Sequence, residues 1–295
     1  MKDVASAPLA IERRSGSPVA DYIQLAKPRL NLLVVATSAA GYYLGGPPST
    51  DLALMAQAVT GTALVAGGAA VLNQLYERDT DALMRRTRLR PLPDGRVSPA
   101  DARVFGLVLT IAGLLLLATR ANLLAAGLAF ATVFVYLIIY TPMKLLTPAS
   151  TLVGAVPGAL PAVIGWAASH GSVGVGGMTL FAIVFLWQIP HFMAIAWLYR
   201  DDYRKAGFPM VSVIEPSGVR AGSQAALFAA MLVPITLAAS TSAVSFTVIL
   251  ALGLAQFALA LRFLMTRSDA SARALFVGSI TYLPLLWTVM ILGKQ

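Results

Sequence analysis

The chain has 295 residues, of which 58% are hydrophobic and only 12% charged; soluble domains carry about 25% charged residues, so ordinary soluble, disordered and coiled-coil classes are excluded together. Cysteine is absent, which removes disulfides, thiolate metal sites, cysteine nucleophiles and cysteine-linked haem. The net charge is +9, and in a chain this apolar a basic excess belongs to cytoplasmic loops, not to a nucleic-acid surface.

Residues 1–21 lack the apolar stretch of a signal peptide, and Asp3, Glu12 and Asp21 beside Arg13 and Arg14 argue against a transit peptide. They read as a cytoplasmic tail ahead of a single domain, residues 22–295. Uncharged runs then predict nine spans: residues 30–50, 52–76, 104–119 and 121–143, two within 145–199 divided at the Gly-rich 170–177, two within 221–261 divided near 240–242, and 274–293. With that count, the N-terminal segment and the even-numbered loops hold 20 of the 22 Lys and Arg residues. The positive-inside rule therefore puts the N-terminus in the cytoplasm. The expected architecture is an all-α polytopic bundle of nine transmembrane helices around a central cavity.

Charge is concentrated in two segments. Residues 77–103 and 200–220 together carry 8 of the 13 acids and 11 of the 22 bases. Both follow an even-numbered span, four helices apart, which suggests a parallel four-helix repeat. In the first, Asn73, Glu77 and Asp81 recur at i, i+4 and i+8, and line one face if the helix continues through them. Such oxygen ligands suit Mg²⁺, which takes one or two carboxylates and completes its shell with water and phosphate. Arg86, Arg88, Arg90 and Arg96 follow, and guanidinium forks grip phosphate bidentately. Acids for a hard cation beside arginines for phosphate describe a diphosphate site; the bland alternative is a solvated loop with i, i+4 charge pairs. Asn73 argues against the bland reading, because it lies inside an uncharged run where polar groups are costly.

The second segment offers Asp201, Asp202 and Lys205 at a helix end, a weaker signal by itself. Upstream, His191 stands about two turns inside an uncharged run, next to Pro190, which should kink its helix. His191 is read equally as a haem or metal ligand, a proton-transfer group or a buried hydrogen-bonded side chain. His170, in the Gly-rich turn, reads as solvated. Lys144 closes the fourth span on the same side as the acidic segments, as a phosphate contact or a snorkelling anchor. Gly154, Pro157, Gly158 and Pro161 should break up the fifth span, for close helix approach or a wider cavity.

The run from Asn73 through Glu77, Asp81, Arg86, Arg90 and Pro91 to Arg96 resembles the first signature of the UbiA superfamily of intramembrane prenyltransferases. More narrowly, it is similar to that of the protoheme IX farnesyltransferases, or haem O synthases. Pro190-His191-Phe192 with Asp202, Tyr203, Gly207, Pro209 and Met210 resembles their second signature, and Tyr140-Thr141-Pro142 with Lys144 the middle one. The resemblance implies farnesyl transfer from farnesyl diphosphate to a vinyl group of protoheme IX, with Mg²⁺ as cofactor and haem as substrate. It implies a haem A synthase as a downstream partner; with no transit signal read, a bacterial inner membrane is the expected location, and the positive-inside rule puts the active-site loops in the cytoplasm. Residue by residue, it implies Asn73, Glu77 and Asp81 as the first Mg²⁺–diphosphate set and Asp201 or Asp202 as the second. Arg86, Arg90, Lys144 and Lys205 become diphosphate cations, and His191 a haem contact. The chain departs from the superfamily pattern where Tyr199 and Tyr203 occupy the positions of a second Asp-x₃-Asp. Competing readings are a prenyltransferase for a quinone precursor or chlorophyllide, and a membrane transporter.

Overall fold

The computed structural model describes residues 17–47 and 49–294; within them all regular structure is helical. A short helix α1 (Pro18–Leu25) leads into α2 (Pro28–Gly45), α3 (Leu52–Tyr76) and the six-residue α4 (Arg78–Leu83). Next come α5 (Pro99–Arg120) and α6 (Leu123–Phe134), the latter continued by a π-helical segment, Val135–Tyr140, and α7 (Thr141–Met143). Helices α8 (Ser150–His170) and α9 (Gly174–Leu198) precede two short helices, α10 (Arg200–Lys205) and α11 (Val211–Ile214). The chain closes with α12 (Val219–Leu237), α13 (Ala243–Thr266) and α14 (Asp269–Leu292).

Eight helices are long and apolar enough to cross a membrane, the α6–α7 rod counting as one from Leu123 to Met143. The first expected span corresponds to α2, whose 18 residues include Arg29 and Asn31 in the opening turn. Those two groups keep it outside the apolar eight, yet it packs into the bundle. A Cβ on Gly41 would lie 2.1 Å from the Ala162 carbonyl oxygen, and one on Gly165 1.9 Å from that of Ser38. Helices α2 and α8 therefore touch backbone to backbone, the contact that replaces a hydrophobic driving force between helices in lipid. Helices α3 and α5 are sealed the same way, through Gly61, Gly68, Gly106 and Gly113. Large apolar side chains such as Leu107, Ile111, Leu115, Phe130 and Leu254 point outward, as a lipid-facing surface requires.

Helix starts follow the capping residues: Asp51, Ser98, Asn122, Ser242 and Ser268 each accept a backbone N–H of the first turn. The expected interruption of the fifth span is corrected. Helix α8 runs unbroken through Pro157 and Pro161, and α9 through Pro190; neighbouring helices can re-satisfy the carbonyls that proline frees in a packed bundle. Gly154 and Gly158 do allow close approach, to the Tyr140 ring and the Gln188 side chain. His170 is exposed, in line with the solvated reading, and its Nδ1 also lies 3.1 Å from the Gly45 carbonyl oxygen.

The two charged segments are folded caps, not linkers. Leu92 and Val97 are buried against Leu25, Val71 and Ala102. Met84 of the first segment packs with Ala206 and Phe208 of the second. The two caps thus meet over the same end of the bundle.

Candidate active site

After α3 the chain breaks for one residue, Glu77 (φ −91°, ψ 9°), and resumes as α4. The break is slight. Glu77 N–H donates to the Asn73 carbonyl at 2.9 Å and Asp81 N–H to the Glu77 carbonyl at 2.7 Å, so helical spacing survives and keeps the three side chains on one face. All three line a cavity of about 310 Å³ under the caps, together with Lys27, Arg86, Arg90, Lys144, Tyr136, Tyr140, His191 and Tyr203. Of the ten residues expected to form the site, seven converge here.

Both acids inside are paired with a base. Lys144 Nζ lies 2.7 Å from Glu77 Oε1, and Arg90 Nη1 2.7 Å from Asp81 Oδ2. Asp81 is 1% exposed, a burial tolerated only because the carboxylate has its own guanidinium partner. Burial works against the Lys144 ammonium, but Tyr140 and Glu77 outweigh it and hold the group charged, with its pKa above that of an ordinary lysine. The Lys144 Nζ also stands 4.6 Å from the centre of the Tyr140 ring.

Asn73 is buried and doubly bonded. Its amide donates to Thr141 Oγ1 at 3.0 Å, and its Oδ1 accepts from the Tyr136 hydroxyl at 3.2 Å. Thr141 Oγ1 in turn donates to the Tyr136 carbonyl, five residues back, at 2.7 Å. The π-helical segment, a form concentrated at functional sites, is thereby pinned to α3 and turns Tyr136 and Tyr140 toward the cavity.

Lys27 was missed in the sequence because it reads as one more positive-inside base. It occupies the left-handed region (φ 51°) between α1 and α2, a conformation that costs a side-chain-bearing residue about 1–2 kcal/mol. Two buried or half-buried amides hold the turn, Gln74 donating to the Leu25 carbonyl and Asn31 to that of Ala26, both at 2.6 Å. Burial, then the nearby Arg90 and Lys144, lower the Lys27 ammonium to about 7.

The second charged segment repeats the backbone of the first. Helix α9 ends at Leu198, Tyr199 (φ −112°, ψ 21°) makes a one-residue break, and the six-residue α10 follows. Tyr199 and Tyr203 hold the places that Glu77 and Asp81 hold after α3, and Ile195 that of Asn73. The expected second acidic set is not assembled. Asp201 is largely exposed and paired with Arg204 at 2.8 Å, and neither Asp202 nor Lys205 lines the cavity. The tyrosines instead seat Arg86, whose guanidinium carbon is 4.8 Å from the Tyr199 ring centre and 5.7 Å from that of Tyr203. Arg88 is exposed, and Arg96 serves the cap by pairing with Asp21 and Asp94.

A second, apolar chamber of about 160 Å³ adjoins the charged one deeper in the bundle, lined by Leu33, Val34, Val184, Trp187 and Leu283 among others. Leu30, His191 and Phe192 belong to both walls, so His191 stands where the polar chamber gives way to the apolar one. The buried hydroxyls of Ser150 and Thr151 face the polar chamber with no protein partner among the described residues.

Among the described residues no three His, Asp or Glu side chains converge to hold a metal by themselves. The donor set still fits a Mg²⁺ ion that brings phosphate oxygens with it: two carboxylates and an amide oxygen on one helix face, turned into one cavity.

Residues 34–287 match the model of the UbiA prenyltransferase family. A protoheme IX farnesyltransferase of Solibacter usitatus (strain Ellin6076) is 40% identical, over 93% of this chain and 98% of its own length. One from Koribacter versatilis (strain Ellin345) is 42% identical over 97% of each chain. Among solved structures, a digeranylgeranylglyceryl phosphate synthase superposes with a TM-score of 0.75 at 15% identity, covering 95% of this chain and 99% of the other. A UbiA homologue from Archaeoglobus fulgidus, bound to GPP and Mg²⁺, does so with 0.66 at 18% identity, covering 92% and 99%. The structural likenesses establish the shared fold.

Proposed function

The chain belongs to the UbiA prenyltransferase family, and we propose that it transfers the farnesyl group of farnesyl diphosphate to a vinyl group of protoheme IX, giving haem O and diphosphate. The observation that carries this reading is the two-part chamber: paired acids and bases at the mouth, an apolar continuation below, and His191 at the junction. Relatives at about 40% identity over nearly the whole chain bear the protoheme IX farnesyltransferase name, which supports haem as the acceptor.

The chemistry follows from the charges. Ionisation of the farnesyl C1–O bond leaves an allylic cation and puts negative charge on the departing diphosphate. Arg90, Arg86, Lys144 and Lys27 surround the place where that charge develops, in a site where donors are fixed before reaction. A Mg²⁺ ion held by Glu77 and Asp81, with the Asn73 oxygen near, would add its positive charge against the same leaving group. The resting ion pairs suit this task. Each acid balances the charge of a base and orders it, and the carboxylates and cations are freed for metal and phosphate when the substrate arrives. The apolar chamber shields the farnesyl chain and its cation from water. The vinyl group is the nucleophile; water then adds to the haem-side cation and releases one proton.

The protein is a multi-pass membrane protein by its eight apolar helices. We place it in a bacterial inner membrane, as its bacterial relatives suggest, with α2 as a ninth span and the charged caps in the cytoplasm on the strength of the basic-residue distribution. A haem A synthase is the fitting consumer of the product. The reading is tested with purified protein in detergent, supplied with farnesyl diphosphate, Mg²⁺ and haem. A haem product heavier by one farnesyl and one hydroxyl group is expected. Turnover only with another prenyl acceptor would overturn the haem assignment.

A further inference from the structure

Ser279, on α14, sits in an uncharged apolar run and drew no notice from its sequence context. In the bundle it is fully buried and receives two contacts from α9, one turn apart. Trp187 Nε1 donates to the Ser279 carbonyl at 2.8 Å, and His191 Nδ1 lies 2.8 Å from Ser279 Oγ. The indole and imidazole rings stack with centres 5.3 Å apart, and the Phe276 ring also stacks on the imidazole, at 5.0 Å.

The hydroxyl has one proton, and its destination decides the state of the histidine. Ser279 Oγ is also 2.7 Å from the Phe276 carbonyl oxygen, which can only accept. With the hydroxyl proton directed to that carbonyl, Ser279 Oγ accepts from His191. That requires a proton on Nδ1, and in the neutral ring Nε2 is then a bare lone pair. Nε2 has no protein partner among the described residues, and the ring borders both chambers. Packed against two aromatic rings and bonded to one hydroxyl, the imidazole cannot exchange its nitrogens without breaking the contact to α14.

We propose that Ser279 is a positioning residue that fixes His191 as the Nδ1–H tautomer, so that Nε2 presents its lone pair to the chamber as an axial ligand for the iron of the porphyrin substrate. This rests on the proposed haem-accepting activity and deepens it. It converts a histidine near the reaction into a defined ligand whose orientation comes from another helix, the arrangement by which histidine ligands to metals are generally oriented. It also orients the acceptor, since an iron anchored at the junction of the chambers holds the porphyrin edge near the mouth where the prenyl diphosphate ionises.

The chain contains only two histidines, so ¹⁵N-histidine NMR of the wild-type protein in detergent reads the tautomer directly, with His170→Gln assigning the other ring. An Nδ1-protonated, Nε2-bare signal for His191 is expected; an Nε2-protonated ring would overturn the proposal without any variant having to fold. Haem titration with resonance Raman detection of the ferrous iron–histidine stretch gives the second reading. His191→Ala should abolish the band. Ser279→Ala should keep it, shift its frequency and weaken haem binding about tenfold, in line with the effect of losing such a supporting hydrogen bond. Trp187→Phe, which loosens the same helix pair but leaves the hydroxyl alone, should leave the frequency where it was. An unshifted band in Ser279→Ala removes the role of Ser279 while leaving His191 as ligand. A band that survives in His191→Ala removes the histidine–haem contact itself, and haem O formation by that variant would then be judged separately.

Discussion

The segments after α3 and after α9 share a backbone plan and differ in chemistry. Each long helix stops for one residue and resumes as a six-residue helix at the same end of the bundle. After α3 the repeated positions are Asn73, Glu77 and Asp81; after α9 they are Ile195, Tyr199 and Tyr203. The first half thus supplies oxygen ligands already matched to bases, Lys144 on Glu77 and Arg90 on Asp81. The second half supplies aromatic faces on which Arg86 rests. A duplicated scaffold need not duplicate its chemistry. Here one segment holds the acids, and the other seats Arg86 in the wall of the same cavity.

The comparison can be broken at several points, in descending order of effect. Removing divalent metal with EDTA should abolish prenyl transfer and added Mg²⁺ should restore it, because the first half brings only two carboxylates and an amide to a site that must also counter a diphosphate; steady turnover in chelator would remove the metal role. Arg90→Ala should lower kcat by about 100-fold or more, the usual effect of deleting one fixed donor from a site of developing negative charge. It also strands the buried Asp81, so its thermal midpoint should fall; an unchanged rate would show that Arg90 serves structure alone.

Lys27 gives a pH test. Its ammonium is lowered to about 7, by burial first and then by Arg90 and Lys144. It is charged below that value and neutral above it. In the free enzyme kcat/KM for the prenyl diphosphate should therefore decline as pH rises through about 7. Lys27→Arg, charged throughout, should flatten that inflection, and a profile identical to wild type would exclude Lys27 from the substrate's field. The smallest effects belong to residues the second half leaves outside the chamber. Asp201→Asn and Lys205→Ala should change activity by no more than about 2-fold, as surface substitutions do; a large loss would restore a second acidic set.

Much of this was legible in the sequence, and the rest fails for physical reasons. Long uncharged runs with caps such as Ser242 and Ser268 locate helices because membrane burial and capping are local requirements. Asn73, Glu77 and Asp81 were legible because helical spacing is enough to bring them together. The π-helical segment at Val135–Tyr140 has no local signature; it is tied down by Asn73 and Thr141, residues 68 apart. Lys27 looked like a loop base because its placement depends on Gln74 and Asn31 holding a left-handed turn. Ser279 carries no local signal, because its contacts come from Trp187 and His191 on another helix. Prolines 157 and 161 read as breaks in a helix, a local rule that the packed bundle overrides.

The asymmetry between the halves is tested most directly by two double variants assayed side by side for haem product with farnesyl diphosphate and Mg²⁺. Glu77→Gln with Asp81→Asn keeps shape and removes both acids; Tyr199→Phe with Tyr203→Phe keeps both rings and removes only the hydroxyls. The account predicts no detectable product from the first and turnover close to wild type from the second. Product from the first at a rate near wild type, or loss of turnover in the second alone, would contradict it.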